Sequence, residues 1–271
     1  MSHILLPTDF SDASLTAVRF AIAHFGGARA RFTLVHSYVD PKVDDTLMPG
    51  ISVLAHKQAV AGLRSFERKC KKSSATTAFA RLSTPQWLPD ALNDVAVEQG
   101  ADMVVMGAHG AGGNPLFGSM STEVAVRSRI PVMLVPGSWE PAPIKRILLA
   151  HDGNHTASTV LAPLHRLAKR KKAEVIVVHV RDNIIAFDSG MDRRAFKDLL
   201  PGVPVSFVTA FGDSVAETID QMAAGGRIQL VVAVHRQRGF WKGLLHRSKT
   251  KRMALHTHVP LLVLRQGAGR A

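Results

Sequence analysis

Residues 4–9 read Ile-Leu-Leu-Pro-Thr-Asp, and residues 147–152 repeat the pattern as Ile-Leu-Leu-Ala-His-Asp. Three further pairs of short apolar runs follow in the same order: 32–36 with 175–179, 104–106 with 231–233, and 131–135 with 260–264. Matches in a fixed order, at offsets between 127 and 143 residues, are typical of an internal duplication. The sequence therefore predicts two copies of one domain.

The apolar runs are rich in valine, isoleucine and leucine, and they do not alternate with polar residues. Such runs are typical of strands that are buried on both faces of a parallel sheet. Helical patterns separate them at 14–25 and 85–99 in the first copy, and at 155–170 and 213–224 in the second. This alternation predicts an α/β fold with two doubly wound five-stranded parallel-sheet domains in tandem.

A short linker separates the two copies. Gly137, Pro141 and Pro143 interrupt regular structure between the last strand of the first copy and the first strand of the second. We therefore expect one domain over 1–138 and the other over 144–271.

The composition is that of a globular protein without a membrane partner. No apolar run reaches the roughly 18 residues of a membrane span, and Asp9 interrupts the N-terminus before the apolar core of a signal peptide. The single cysteine, Cys70, has no cysteine partner for an intramolecular disulfide. We expect a cytoplasmic protein.

Positive charge is concentrated at the C-terminal end. The chain carries a net charge of +13, and ten of its lysines and arginines lie between 221 and 271, where no acidic residue occurs. Phe240 and Trp241 lie among the basic residues of 227–252. This segment could bind a polyanion such as RNA or single-stranded DNA by charge and stacking. It could equally be a solvated face, or its rings could pack against the other domain or a second chain.

Two features of the first copy are expected at one edge of its sheet. Asp9 directly follows the first strand, and the glycine-rich segment 107–119 follows the fourth. Ligands of open parallel sheets bind beyond the carboxyl ends of the strands, where the strand order reverses. Glycines let the backbone approach a ligand, and a helix beginning near Met120, capped by Ser119 or Ser121, offers N–H groups to phosphate. The segment is either a phosphate-binding loop or a plain turn.

On these residues the chain resembles the universal stress protein family. The loop motif of that family is Gly-x2-Gly-x9-Gly-Ser/Thr, and an aspartate follows its first strand. Gly107, Gly110, Gly118 and Ser119 stand at the motif positions, and residues 7–11 match the family's opening. One departure is that seven residues, not nine, separate Gly110 from Gly118. The resemblance implies an adenine nucleotide alpha-hydrolase-like fold and an ATP-type ligand.

The resemblance also implies which residues contact the nucleotide. Asp9 would contact the adenosine, the backbone near Pro7, Thr8 and Ser37 would frame the base, and the loop would follow the phosphates. The full set of candidate binding residues is Pro7, Thr8, Asp9, Ser37, Met106, Gly107, His109, Gly110, Gly118, Ser119 and Met120. The family also pairs its domains through their last strands. We therefore expect 132–135 and 261–264 to form a homodimer or a pseudo-dimer of the two domains.

The second copy departs from this pattern. Val234, Gln237 and Arg247 replace the three motif glycines, and their side chains would obstruct backbone contacts with phosphate. Asp152 is retained, but we predict that the second domain does not bind ATP. Its histidines, among them His151, do not include a complete zinc ligand set, so we assign no metal site.

These features predict a regulatory stress-response protein that binds ATP or another adenine nucleotide, with or without Mg²⁺, in its first domain. Only Asp9, Asp12 and Asp40 offer carboxylates for such an ion. We assign no catalytic residue. Two alternatives stay open: slow ATP hydrolysis at the same site, with His109 as a base, and binding of a polyanion at 227–252.

Overall fold

The computed structural model describes residues 2–27, 29–40, 50–109, 118–151, 156–181, 193–211, 221–223, 227–235 and 259–266. The chain divides into two compact units, Met1–Ser138 and Trp139–Ala271. No helix in the described ranges is long and apolar enough to cross a membrane.

The first unit alternates strands with helices. In chain order they are β1 (Ser2–Pro7), α1 (Asp12–Phe25), β2 (Ala30–Ser37), α2 (Ile51–Ser73), β3 (Phe79–Thr84), α3 (Leu88–Gln99), β4 (Met103–Gly107), α4 (Ser119–Arg127) and β5 (Val132–Val135). The strands pair in parallel in the spatial order β3-β2-β1-β4-β5. The chain moves outward from β1 to β3 and then returns to place β4 on the other side of β1. This reversal is where open α/β sheets bind ligands, at the carboxyl ends of β1 and β4.

The second unit repeats this topology. Its described elements are β6 (Arg146–Ala150), α5 (Ser158–Lys171), β7 (Glu174–Arg181), α6 (Arg193–Leu199), β8 (Val205–Phe211), β9 (Leu230–His235) and β10 (Leu261–Arg265). Its strands also pair in parallel, in the order β8-β7-β6-β9-β10. The predicted α/β class, with two doubly wound five-stranded parallel sheets in tandem, is confirmed.

The strands are continuous apolar runs in the sequence because both of their faces are buried. Residues 4–6 of β1 expose at most 1% of their surface, and residues 147–149 of β6 expose none. In the first unit, α1 packs on β1, β4 and β5, and it buries Ala17, Val18 and Ala21. A strand that is covered on both faces has no solvated side on which polar residues could alternate.

The start of α3 differs from the prediction. The helix expected over 85–99 begins at Leu88. Pro89, rather than Pro85, lies in its first turn, where the missing N–H of a proline costs no hydrogen bond. The expected end is correct, because Gly100 terminates the helix in a left-handed conformation at φ 62°.

The predicted helices of the second unit are described only in part. The helix expected over 155–170 is α5, which begins at Ser158 and ends at Lys171. Residues 152–155 lie outside the described ranges, and so does most of the helix expected over 213–224.

His3 is a buried titratable residue at the amino end of the first sheet. Its Nδ1 lies 3.2 Å from the Gln99 carbonyl oxygen, and its Nε2 lies 2.8 Å from Thr33 Oγ1. A carbonyl can only accept a hydrogen bond, so Nδ1 carries the proton and Nε2 accepts from Thr33. Burial lowers the pKa of His3, although the Gln99 carbonyl and Asp102 oppose the shift.

We expect His3 to make the stability of the first unit depend on pH. The folded state favours the neutral ring, so its contribution to stability is present above the unfolded pKa of about 6.5 and is lost as pH falls through the lower folded pKa. Urea unfolding at several pH values should therefore show a smaller loss on acidification in His3→Gln than in the wild type. An identical pH dependence in the two proteins would contradict this role for His3.

Candidate functional site

The turn after β1 is built around the Thr8 side chain. Thr8 is buried, and its Oγ1 accepts a hydrogen bond from Phe10 N at 2.9 Å. Ser14 Oγ donates to the Ser11 carbonyl at 2.8 Å, so Thr8 is the donor in its 2.9 Å contact with Ser14 Oγ. Ser11 Oγ in turn accepts from Ser14 N and caps α1. Thr8 therefore positions the turn and the start of α1 with its hydroxyl.

Asp9 follows Thr8 and is exposed. Its Oδ1 accepts from Ser11 N at 3.1 Å and from Ser11 Oγ at 2.5 Å. The next residue, Phe10, has a left-handed backbone with φ 69°, which costs a non-glycine residue on the order of 1–3 kcal/mol. This turn presents the carboxylate at the carboxyl end of β1.

The Phe10 ring packs inward and offsets this strain. Its centroid lies 4.2 Å from that of His36 and 6.0 Å from that of Phe66. Gly62 makes room for it in α2, because a Cβ at that position would lie 2.6 Å from the ring. An inward Phe10 thus helps to hold Asp9 in its outward position.

The end of β2 is tied to the end of β1. His36 Nδ1 donates to the Thr8 carbonyl at 2.8 Å, so the neutral ring carries its proton on Nδ1. Ser37 Oγ donates to the Gln86 carbonyl at 2.6 Å. Ser37, a candidate for framing the base, therefore uses its hydroxyl proton to hold the segment before α3.

The end of β4 packs closely against α1. Met106 is buried, and a Cβ on Gly107 would lie 3.1 Å from the backbone carbon and oxygen of Ala13 and 3.1 Å from His109 O. A side chain at position 107 would therefore push against the first turn of α1. Glycine here permits close packing of backbone on backbone, whether or not a ligand is bound.

The glycine-rich segment is closed at its base by hydrogen bonds. Gly118 N donates to the Ala108 carbonyl at 2.9 Å, so the two ends of the segment lie side by side. Ser121 Oγ donates to the same carbonyl at 2.7 Å. Gly110 and residues 111–117 lie outside the described ranges.

The start of α4 corrects one prediction. Gly118 is the N-cap, without a side-chain hydrogen bond, and α4 begins at Ser119. Ser119 and Ser121 were the expected caps, but Ser119 is the first residue of the helix, and the Ser121 hydroxyl donates to carbonyls rather than accepting from the helix. Met120 is exposed in the first turn of α4. The first N–H groups of any helix lack partners within the helix, and its dipole favours an anion there.

The structure thus brings the described candidates to one edge of the first sheet. β1 pairs with β4 in parallel, so Asp9, just after β1, and Gly107, the last residue of β4, lie at neighbouring strand ends. The helix α4 starts from the base of the glycine-rich segment that follows β4. An exposed carboxylate can accept hydrogen bonds from hydroxyl groups, and a helix N-terminus can receive phosphate. The arrangement therefore offers an acceptor for hydroxyl groups and donors for an anion at one edge of the sheet.

The described residues contain no cluster of three or more histidine, cysteine or acidic side chains that could hold a metal ion. Mg²⁺ is typically held by one or two carboxylates together with substrate phosphates and water. Asp9 fits that limited role, since its exposed carboxylate stands at the same edge as the start of α4.

At the corresponding edge of the second unit, the described residues include two buried side chains, those of His151 and Val234. His151 N donates to Val178 O, as Thr8 N does to Val35 O. The buried His151 ring contacts Thr156 Oγ1 at 2.9 Å. Val234 pairs with β10 where Gly107 pairs with β5, and its side chain is buried. The other replaced glycine positions and Asp152 lie outside the described residues.

Sequence patterns did not reveal three positioning residues of the first unit: Phe10, His36 and Gly62. Phe10 has an unusual backbone conformation for its type, and Gly62 acts across 52 positions of the chain. Two of them carried a signal: Phe10 lies in the stretch 7–11 that matches the family's opening, and the second copy repeats His36 as His179.

Comparison with known proteins gives one family. The model of the universal stress protein family matches residues 1–136 and again 143–265. No curated protein gives a significant match.

Two of the solved structures that match this chain cover nearly all of it, and a third covers about half. A universal stress protein from Archaeoglobus fulgidus DSM 4304 is 18% identical, with 98% of each chain covered and a TM-score of 0.73. A functionally unknown protein from Pseudomonas aeruginosa PAO1 is 14% identical, with 98% of this chain and 92% of that chain covered and a TM-score of 0.60. A universal stress protein in complex with cAMP is 26% identical over 49% of this chain and 96% of its own, with a TM-score of 0.39.

Proposed function

The chain belongs to the universal stress protein family, and we propose that its first unit is a regulatory site for one adenine nucleotide, ATP or a close relative. The observation that carries the proposal is the exposed Asp9 carboxylate, which the left-handed turn at Phe10 presents at the carboxyl end of β1, the strand that pairs with β4. Such a turn is costly, and costly backbone conformations cluster at binding sites.

Each part of the proposed site has a separate chemical task. The Asp9 carboxylate would accept hydrogen bonds from the ribose hydroxyls. The backbone at 107–110 and the N-terminus of α4, with Gly118, Ser119 and Met120, would receive the phosphates. Pro7, Thr8 and Ser37 would border the base, and Met106 would close the site from the end of β4. Mg²⁺, where present, would bind phosphate oxygens and the Asp9 carboxylate.

We propose binding without turnover, in the first unit alone. In the second unit, the buried Val234 supports the absence of a family-type phosphate site, because its side chain fills the place of Gly107. The nucleotide would then bias the conformation or the assembly of the chain. Pairing through the last strands, in a homodimer or pseudo-dimer, stays a prediction, and so does polyanion binding at 227–252, most of which lies outside the described residues.

Titration calorimetry with ATP, ADP, AMP and cAMP tests this function. We expect one nucleotide to bind per chain, and ATP to be recovered intact after hours with the protein. Two sites per chain, or no binding at millimolar nucleotide, would contradict the proposal. Formation of ADP or AMP that is lost in Asp9→Ala would instead support the hydrolase alternative.

A further inference from the structure

A basic groove runs along the outer face of α2 in the first unit. It has a volume of about 730 Å³ and extends to Arg81 on the edge strand β3. The residues that line it include Val60, Ala61 and six basic side chains: His56, Lys57, Arg64, Arg68, Lys71 and Arg81. We call this feature the α2 groove. It is made of elements other than the turn after β1 and the β4–α4 segment.

The charges of the α2 groove form a row. Positions 57, 64, 68 and 71 share one face of the helix and span about 21 Å along its axis. Glu67 pairs with Lys71 at 2.7 Å and with Arg81 at 3.3 Å. Five lysines and arginines against one carboxylate leave a surplus of four positive charges with His56 neutral.

The fold does not need this row of charge. The buried face of α2 is supplied by other residues, namely Ala59, Leu63, Phe66 and Cys70. Like charges three or four residues apart, such as Arg64 and Arg68, weaken an exposed helix. A surplus that costs stability points to a ligand of opposite charge.

The side chains that line the α2 groove favour a ligand made of several linked phosphates. Arginine guanidinium groups hold phosphate oxygens through paired hydrogen bonds, and Arg64, Arg68 and Arg81 all face the groove. Proteins that bind single-stranded nucleic acid add aromatic rings on which successive bases stack. Among the described residues that line the groove, His56 supplies the only ring, at one end. The row therefore suits the phosphates of a linear polyanion better than the bases of a nucleic acid.

We propose that the α2 groove binds linear inorganic polyphosphate. Binding is independent of the nucleotide site, because the groove contains none of the residues assigned to the nucleotide. It weakens with salt, because each phosphate contact releases counterions.

Fluorescence anisotropy with labelled polyphosphate tests this proposal on the full chain. The double variant Arg64→Gln/Arg68→Gln keeps good helix formers at exposed positions, and it should bind polyphosphate at least about tenfold more weakly, with a smaller salt dependence. The matched control is Lys69→Gln/Lys72→Gln, which removes the same charge from the same helix outside the groove. It should change affinity less than about twofold. A second control, Arg247→Gln/Lys249→Gln, removes the same charge from the C-terminal stretch.

Each result decides the proposal. The proposal is supported if polyphosphate affinity falls in the Arg64→Gln/Arg68→Gln variant alone and its circular dichroism spectrum is unchanged. Equal loss in any control variant overturns it, because binding would then follow net charge alone. Tighter binding of single-stranded DNA or RNA than of polyphosphate overturns the ligand assignment, and no binding at low salt overturns the site.

Discussion

Asp9→Ala is expected to weaken adenine-nucleotide binding by about ten- to a hundredfold while the fold stays intact. The carboxylate is exposed, and it accepts hydrogen bonds from Ser11 N and Ser11 Oγ within the same turn. Ser11 still caps α1 without it, through the bond from Ser14 N. The ribose hydroxyls of the ligand would lose a charged acceptor, and this sets the expected loss of affinity. Calorimetry under conditions where both proteins are folded measures the ratio of the two Kd values.

Two further variants distinguish a specific role of the Asp9 carboxylate from a general effect of negative charge and from the loss of its hydrogen bonds to Ser11. Asp12→Asn removes the same charge three residues away, in the exposed first turn of α1, and it should leave Kd within about twofold in Mg²⁺-free buffer. Asp9→Asn retains an oxygen acceptor for Ser11 and should fall between the wild type and Asp9→Ala. Equal affinities in Asp9→Ala and Asp12→Asn would refute the assigned role of Asp9.

Gly107→Val is expected to lower the free energy of unfolding by about 1–3 kcal/mol and to abolish nucleotide binding. The variant gives the first unit the residue that the second carries at Val234. Even the first carbon of the new side chain would lie 3.1 Å from the backbone of Ala13, which belongs to the first turn of α1. Urea unfolding measures the stability, and calorimetry on the folded variant measures binding.

Gly137→Val is the matched control for this substitution. A Cβ at position 137 would lie 3.8 Å from the Ala13 side chain, an ordinary contact distance, and the position is exposed. We expect this control to bind nucleotide as the wild type does and to lose little stability. If the two valine variants behave alike, close packing at Gly107 does not shape the site.

Local patterns predicted the sheets because the relevant physics is local. Continuous apolar runs and the helical patterns between them require only the periods of strands and helices. The alternation of strands and helices then restricts the possible topologies, because crossover connections between parallel strands are almost always right-handed. The doubly wound α/β class with five parallel strands in each unit followed from these rules, whereas the spatial order of the strands comes from the structure.

The details of the site depend on contacts that sequence spacing does not reveal. The start of α3 at Leu88 rather than Pro85 depends on where the preceding strand ends. So does the capping of α4 by Gly118 rather than by Ser119 or Ser121. The left-handed Phe10 depends on a place for its ring beside Gly62. The α2 groove likewise depends on Arg81 of β3 meeting α2 across the surface.

The central claim is that the first unit binds a nucleotide at the turn after β1 and at the β4–α4 segment. Hydrogen–deuterium exchange with and without saturating ATP tests this claim most directly. We predict slower exchange in peptides that cover 8–11 and 106–121, and unchanged exchange in peptides that cover 147–151 and 230–235. Protection confined to the second unit, or no protection in the first at saturating ATP, would contradict the claim.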